Sequence, residues 1–263
     1  ISACLVGSEM CIRDSDSAIA DLARAESLLV CLDFDGTLAE LNTDAYAVRP
    51  NPEALAAIAS LLRLEATEVA VLSGRHLDGL AKVLPATPEL AGLVRVGSHG
   101  AEPGPTLSPA DAAYLERIGR ALERIATPPA YVEEKPYQRV LHVAPLAASD
   151  PHLAQQLLAD ALALDTGAHP VTPGHNVVEF SAVDVTKGSW LAQRKLDFAA
   201  TLFAGDDATD ETAMDVLDQG PDVGVKVGAQ ESRARYRVDD VSAMAQLLSQ
   251  LARERRSYLA GRS

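Results

Sequence analysis

Three short apolar runs in this chain stop abruptly at polar residues, and that shared grammar limits the folds open to it. Residues 28–32 run into Asp33-Phe34-Asp35-Gly36-Thr37, residues 68–72 into Ser73-Gly74-Arg75, and residues 199–204 into Gly205-Asp206-Asp207. Short apolar runs bounded by turn residues read as buried strands. Helical periodicity separates them: 52–64 sets Leu55, Ile58, Ala59 and Leu62 on one face, and 76–84 leads up to Pro85. Further strands are expected at 93–96, ending in Gly97-Ser98-His99-Gly100, and at 223–227. Strands alternating with helices predict a parallel α/β sheet. The carboxyl edge of such a sheet is where ligands bind.

The pattern changes in the middle of the chain. Pro103, Pro105 and Pro109 form a junction, followed by a helix over 110–125. Strand-like runs come next at 130–134 and 139–144, then a helix over 151–164. Two more strands, 168–172 and 176–180, bracket Pro173-Gly174. Paired strands with two helices predict an α+β domain over 106–180, inserted into a core made of 16–105 and 181–263. Helices are expected in the returning core at 188–195, 211–217 and 241–253, with 254–263 as a frayed tail. Residues 1–15 lack the basic start and long apolar centre of a signal peptide. They are expected to be a non-native or disordered segment outside the fold.

Composition narrows the partners. The 263 residues carry a net charge of −14, which disfavours nucleic acid and anionic membranes. An anionic substrate would need a local positive site. No apolar stretch approaches the ~18 residues of a membrane-spanning helix. Cys4, Cys11 and Cys31 show no metal-type pairing, so reduced thiols in a cytoplasmic protein are expected. A monomer is favoured.

Parallel strands would bring the three polar ends to one edge. Asp33 and Asp35 at close range call for a cation or proton between them. Lys187, ahead of a predicted helix, offers a positive charge, and Ser73 and Thr37 offer hydroxyls. Carboxylates, a hard divalent cation and donors to oxygen suit phosphoryl transfer.

The chain resembles phosphatases of the haloacid dehalogenase superfamily across most of its length. The matching motifs, in order, are DFDGT at 33–37, Ser73, Lys187 and GDDATDE at 205–211. The resemblance implies a Rossmann-like parallel-sheet core with an inserted α+β cap. It implies Asp33 as nucleophile, forming an aspartyl-phosphate, and Asp35 as acid and base in turn. Ser73 and Thr37 would bind phosphoryl oxygens, and Lys187 would neutralise charge. Mg²⁺ would be held by Asp33, the backbone carbonyl of Asp35 and Asp206, with Asp207 and Asp210 as outer groups or further ligands.

Within that superfamily the wording is most similar to trehalose-6-phosphate phosphatases. SGR at 73–75, GSHGAE at 97–102, VEEK at 132–135, LH at 141–142 and GHNVVEF at 174–180 carry the likeness. Carried over, Glu133 or Glu134, Lys135 and Glu179 would bind the sugar phosphate from the cap. Gly74, Arg75 and Glu102 would also bind substrate, Arg75 and Glu102 from the domain junction, with His142 as a further contact and His99 supporting its loop. The family pattern has His-Tyr-Arg where this chain has His142-Val143-Ala144, and Arg139 is the nearest replacement cation. Other sugar-phosphate phosphatases are the alternative, acting on sucrose phosphate, mannosyl- or glucosyl-3-phosphoglycerate or a hexose phosphate. A phosphomutase and a binding module without turnover fit less well.

Overall fold

The computed structural model describes residues 17–42, 44–84 and 86–262. The chain divides into two compact units, one ending at Gly100 and resuming at Thr186, the other spanning Ala101–Val185.

The first unit opens with a helix, α1, over residues 17–23. Then come β1 Leu28–Leu32, α2 Pro52–Leu61, β2 Thr67–Leu72, α3 Leu77–Val83 and β3 Val94–Val96. Asn51 starts α2 by accepting hydrogen bonds from the Glu53 and Ala54 amides, and Pro52 fills the first helical position, where no donor is missed.

The second unit holds α4 Pro109–Ile125, β4 Tyr131–Glu134, β5 Gln138–His142, α5 Ala144–Ala147, α6 Pro151–Leu162, β6 Val171–Gly174 and β7 Val177–Ser181. Its sheet is antiparallel, in the order β4-β5-β7-β6. Leu141, Val178 and Phe180 form one face and pack with Tyr114, Ile118, Leu157 and Ala161 of α4 and α6. The other face carries Tyr131, Glu133, His142 and Glu179. The turn before β7 lies at His175-Asn176 rather than at Pro173-Gly174, because Asn176 takes the left-handed backbone (φ 57°). Pro173 is tolerated inside β6, an edge strand that need not donate outward.

The first unit resumes with α7 Lys187–Arg194, β8 Ala200–Gly205, α8 Glu211–Met214, β9 Val223–Val227, β10 Tyr236–Val238 and α9 Val241–Ala260. Its six strands are all parallel, in the order β10-β9-β8-β1-β2-β3. The chain leaves β1 toward β2 on one side and returns through β8 on the other, so the order reverses beside β1. Loops diverge there and leave a crevice at the carboxyl edge. Alternate residues of β1 serve opposite cores: Leu28, Val30 and Leu32 pack under Ile58, Leu248 and Leu251, while Leu29 and Cys31 pack with Leu191 and Met214. Burial on both faces explains why this strand reads as an unbroken apolar run. Cys31 is a buried free thiol; Cys4 and Cys11 lie outside the described residues. Among the described residues no helix is long and apolar enough to cross a membrane.

The expected tail is instead the last two turns of α9. Arg255, fully buried, keeps them folded. Its guanidinium donates to the carbonyls of Ala25 (2.9 Å) and Ala66 (2.9 Å), with longer bonds to Ala23 and Glu65, and to Thr67 Oγ1 (2.5 Å). Burial lowers its pKa, but an arginine stays charged. Replacing Arg255 with Met strands these carbonyls, each worth roughly 1–3 kcal/mol when left unsatisfied. The expected loss is about 3 kcal/mol or more in the urea midpoint analysis, with Arg256→Met near wild type.

Candidate active site

The catalytic candidates of the first unit sit where β8, β1 and β2 end side by side. Asp33 follows β1 directly and its amide donates to the Ala204 carbonyl of β8 at 2.9 Å. Ser73 follows β2 and donates its amide to the Val96 carbonyl of β3. Asp206 follows β8. Neighbouring parallel strands therefore present all three motifs at one edge.

Lys187 is the hub. It is 3% exposed, and its Nζ lies 2.5 Å from Asp33 Oδ1 and 2.7 Å from Asp210 Oδ1. A cation at the first position of a helix opposes the helix dipole, so this placement depends on those two carboxylates. Thr186 fixes the start of α7: its Oγ1 accepts from the Ser189 amide, and Ser189 Oγ accepts from the Thr186 amide. Gly188 then lets α7 approach the chain near α8, because a Cβ there would stand 2.1 Å from the Thr212 carbonyl oxygen. Burial works against the Lys187 ammonium, yet Asp33 and Asp210 raise its pKa above the ordinary lysine value.

Asp33, Asp206 and Asp210 each offer an oxygen within 4.8 Å of the others. Burial pushes the Asp33 carboxyl up, and Lys187 opposes that push. Burial, then Asp210 and Asp207, push Asp206 up to about 6. Three carboxylates around one ammonium leave excess negative charge. An all-oxygen set of this kind fits a hard divalent cation, which would relieve that repulsion. Gly36 shapes the same spot. Its φ is +75°, and a Cβ on it would lie 2.1 Å from Asp206 Oδ2. Lys226, buried in β9, reaches the Asp206 carbonyl at 2.7 Å.

Asp207 is not part of this cluster. Its Oδ1 accepts from its neighbour's amide, Ala208, at 2.6 Å, which starts a short 3₁₀ turn. That turn points Asp210 inward instead, with Asp210 Oδ2 accepting from the Asp207 amide.

Asp35 is held by Arg75 through two parallel bonds of 2.6 Å, from Nε to Oδ2 and Nη2 to Oδ1. Arg75 also donates to the Ala45 carbonyl at 2.7 Å, tying down the polar loop after β1. Ser73 Oγ is buried and accepts from the Arg75 amide at 3.1 Å. Thr37 Oγ1 is buried with no hydrogen-bond partner among the described residues. Gly74 packs beneath His99, whose ring a Cβ would meet at 2.6 Å.

In the second unit, Lys135 Nζ pairs with Glu179 Oε2 at 3.1 Å, and His142 Nε2 with Glu133 Oε2 at 2.9 Å. Glu102 is buried near the start of this unit. Glu134 and Arg139 alternate to the opposite face of the sheet, where they pair with each other at 3.8 Å. Arg139 therefore does not replace the absent arginine at Ala144 on the face of Glu133 and Glu179.

The family model described as Trehalose-phosphatase matches residues 31–242. A bifunctional trehalose-6-phosphate synthase/phosphatase of Thermoproteus tenax is 32% identical over 249 residues, covering 90% of this chain and 33% of the relative. The trehalose-phosphate phosphatase of Mycobacterium avium is also 32% identical over 249 residues, covering 85% of this chain and 61% of the relative. This chain belongs to the trehalose-phosphatase family. It spans about a third and three fifths of the lengths of these two relatives. The fold agrees: the C-terminal domain of Candida albicans trehalose-6-phosphate phosphatase superposes with a TM-score of 0.74 at 19% identity, covering 91% of this chain and 96% of that one.

Two features of this trehalose-phosphatase family member escape sequence reading. The Arg75–Asp35 fork joins residues far apart in the chain, and no local pattern announces it. Lys226 does leave a trace, as the single charge in the apolar run Val223–Val227. Gly188→Ala tests the seat of Lys187. The added Cβ must push α7 from Thr212, so stability is expected to fall by about 1–3 kcal/mol in denaturant titration. An unshifted midpoint would contradict this packing.

Proposed function

We propose that this chain hydrolyses trehalose 6-phosphate to trehalose and phosphate through an aspartyl-phosphate on Asp33, in the cytoplasm, as a step of trehalose biosynthesis. The observation that carries the reading is Asp33 Oδ1 held 2.5 Å from Lys187 Nζ inside a cluster of carboxylates. A binding module has no need of a buried, charge-compensated nucleophile. A thiol at Cys31 suits a reducing compartment.

In the first step the Asp33 carboxylate attacks phosphorus, and the bond from phosphorus to the sugar oxygen breaks. Asp35 delivers its proton to that oxygen. Lys187 offsets the charge of Asp33 and of the phosphoryl group. Ser73 and Thr37 donate their hydroxyl hydrogens to phosphoryl oxygens, which gives the buried Thr37 Oγ1 its partner. In the second step Asp35 takes a proton from water, whose oxygen attacks phosphorus and frees Asp33. The Arg75 fork holds both Asp35 oxygens, so Asp35 reaches the leaving oxygen only when at least one of those bonds opens.

Asp33, Asp206 and the Asp35 carbonyl would hold Mg²⁺, with Asp210 orienting the cluster, and the ion supplies further positive charge for the phosphoryl oxygens. Glu133, Lys135 and Glu179 of the second unit take sugar hydroxyls, since carboxylates accept and ammonium donates.

Asp33→Asn is expected to lower phosphate release about a thousandfold or more while the thermal unfolding curve stays cooperative. Wild-type turnover in that variant would exclude Asp33 as nucleophile. Chelation with EDTA should abolish activity, and added Mg²⁺ should restore it. A panel of sugar phosphates decides the substrate: trehalose 6-phosphate is expected to show the highest kcat/KM, against sucrose, glucosylglycerate and hexose phosphates. Preference for another member would overturn the substrate and leave the phosphatase chemistry standing.

A further inference from the structure

The polar face of the second unit's sheet has two distinct rows, set by its register. Glu133 pairs with Val140, Val140 with Glu179, and Glu179 with Thr172, which gives one row its two carboxylates. The adjacent row runs Tyr131, His142, Val177 and Gly174 by the same pairings. Directly paired residues share a face, and so do residues two apart on a strand. An aromatic and apolar row thus lies alongside a row of hydrogen-bonding groups.

Tyr131 dominates the apolar row. It keeps 50% of its surface exposed, one of the few large apolar side chains on the described surface. Its ring is not loose. It stacks on the His142 imidazole with centroids 4.8 Å apart and planes 14° from parallel. His142 is itself oriented by Glu133, 2.9 Å from its Nε2. A ring held in one plane loses little freedom on binding, which favours a contact surface. Beyond it, Gly174 ends the row without a side chain.

We propose that Tyr131 is a stacking platform for a pyranose ring of the substrate, with His142 as its backing and Glu133 as the residue that positions both. The inference rests on the sugar-phosphate reading above. A pyranose ring presents C–H groups on its faces and hydroxyls around its rim. The Tyr131 row matches the first and the Glu133–Glu179 row, with Lys135, matches the second. Ligand sites combine apolar and aromatic walls with a few placed polar groups in the same way. The platform makes Tyr131 a specificity residue: it contributes to binding substrates that carry a ring to stack, and much less to a compact phosphate ester.

The test compares trehalose 6-phosphate with glycerol 2-phosphate, an ester with no ring, in the full chain, for wild type, Tyr131→Ala and Tyr131→Phe. Tyr131→Ala is expected to lower kcat/KM for trehalose 6-phosphate about tenfold more than for glycerol 2-phosphate, chiefly through KM. Tyr131→Phe keeps the stacking face and should restore turnover of trehalose 6-phosphate to within about twofold of wild type. Trehalose as a competitive inhibitor of glycerol 2-phosphate hydrolysis should weaken by a similar factor in Tyr131→Ala. Leu162→Ala, an exposed apolar residue on α6, is the control for general surface effects. Equal losses on both substrates, or none, in Tyr131→Ala would overturn the platform while wild-type turnover of trehalose 6-phosphate keeps the proposed function. A wild-type chain that hydrolyses glycerol 2-phosphate and ignores trehalose 6-phosphate would overturn the substrate reading, and this platform with it.

Discussion

The ammonium of Lys187 between Asp33 and Asp210 is the interaction on which the rest of the core depends. Each partner is buried, and each would be costly there alone. The three come from β1, the start of α7 and the turn before α8, so the ion cluster also staples three distant segments. Close approach makes it possible: Gly188 removes a side chain that would meet Thr212, and Gly36 removes one that would meet Asp206. The charges remain unbalanced after pairing, and a cation held by Asp33, Asp206 and Asp210 would offset the surplus. Structural and chemical demands are met here by the same few atoms.

Around that hub the molecule separates two tasks. The first unit carries the groups that handle charge: Asp33, Lys187, Asp206, Asp210 and the Arg75–Asp35 fork. The second carries a sheet whose one face is packed against helices and whose other face is polar and aromatic. Asp33 and Lys187 have little latitude, because their distances are set by strand ends and a helix cap. Tyr131 and His142 sit on strands β4 and β5 and Ala144 begins α5, all outside the apolar core of the unit. Under the proposed function, specificity can change on this sheet while the reaction does not.

What could be read from the residues followed the range of the interactions. Leu28–Leu32 with Asp33 and Asp35 is local, so strand, turn and charge pair were all visible in one short stretch. The order of motifs then placed Ser73, Lys187 and Asp206 together, because parallel strands leave few alternatives. Asp207 against Asp210 was not readable, since a single 3₁₀ turn decides which carboxylate faces inward. The length of α9 was hidden for the opposite reason. Residues 254–263 look polar enough for a tail, and only carbonyls of Ala25 and Ala66, far away in sequence, show why Arg255 belongs inside. β10, three residues at a sheet edge, was too short and too mixed to stand out.

The Arg255 clamp and the strand order together bear on how the chain emerges from the ribosome. Ala101–Val185 is continuous and holds its own apolar core, so it can fold as soon as it is made. The parallel sheet cannot. β1 pairs with both β2 and β8, and β8 is synthesised only after the whole second unit. The last helix must still arrive to cap the open carbonyls of Ala25 and Ala66. During translation the amino-terminal half-sheet waits with an unpaired apolar edge at β1, the state in which a nascent chain most needs a chaperone.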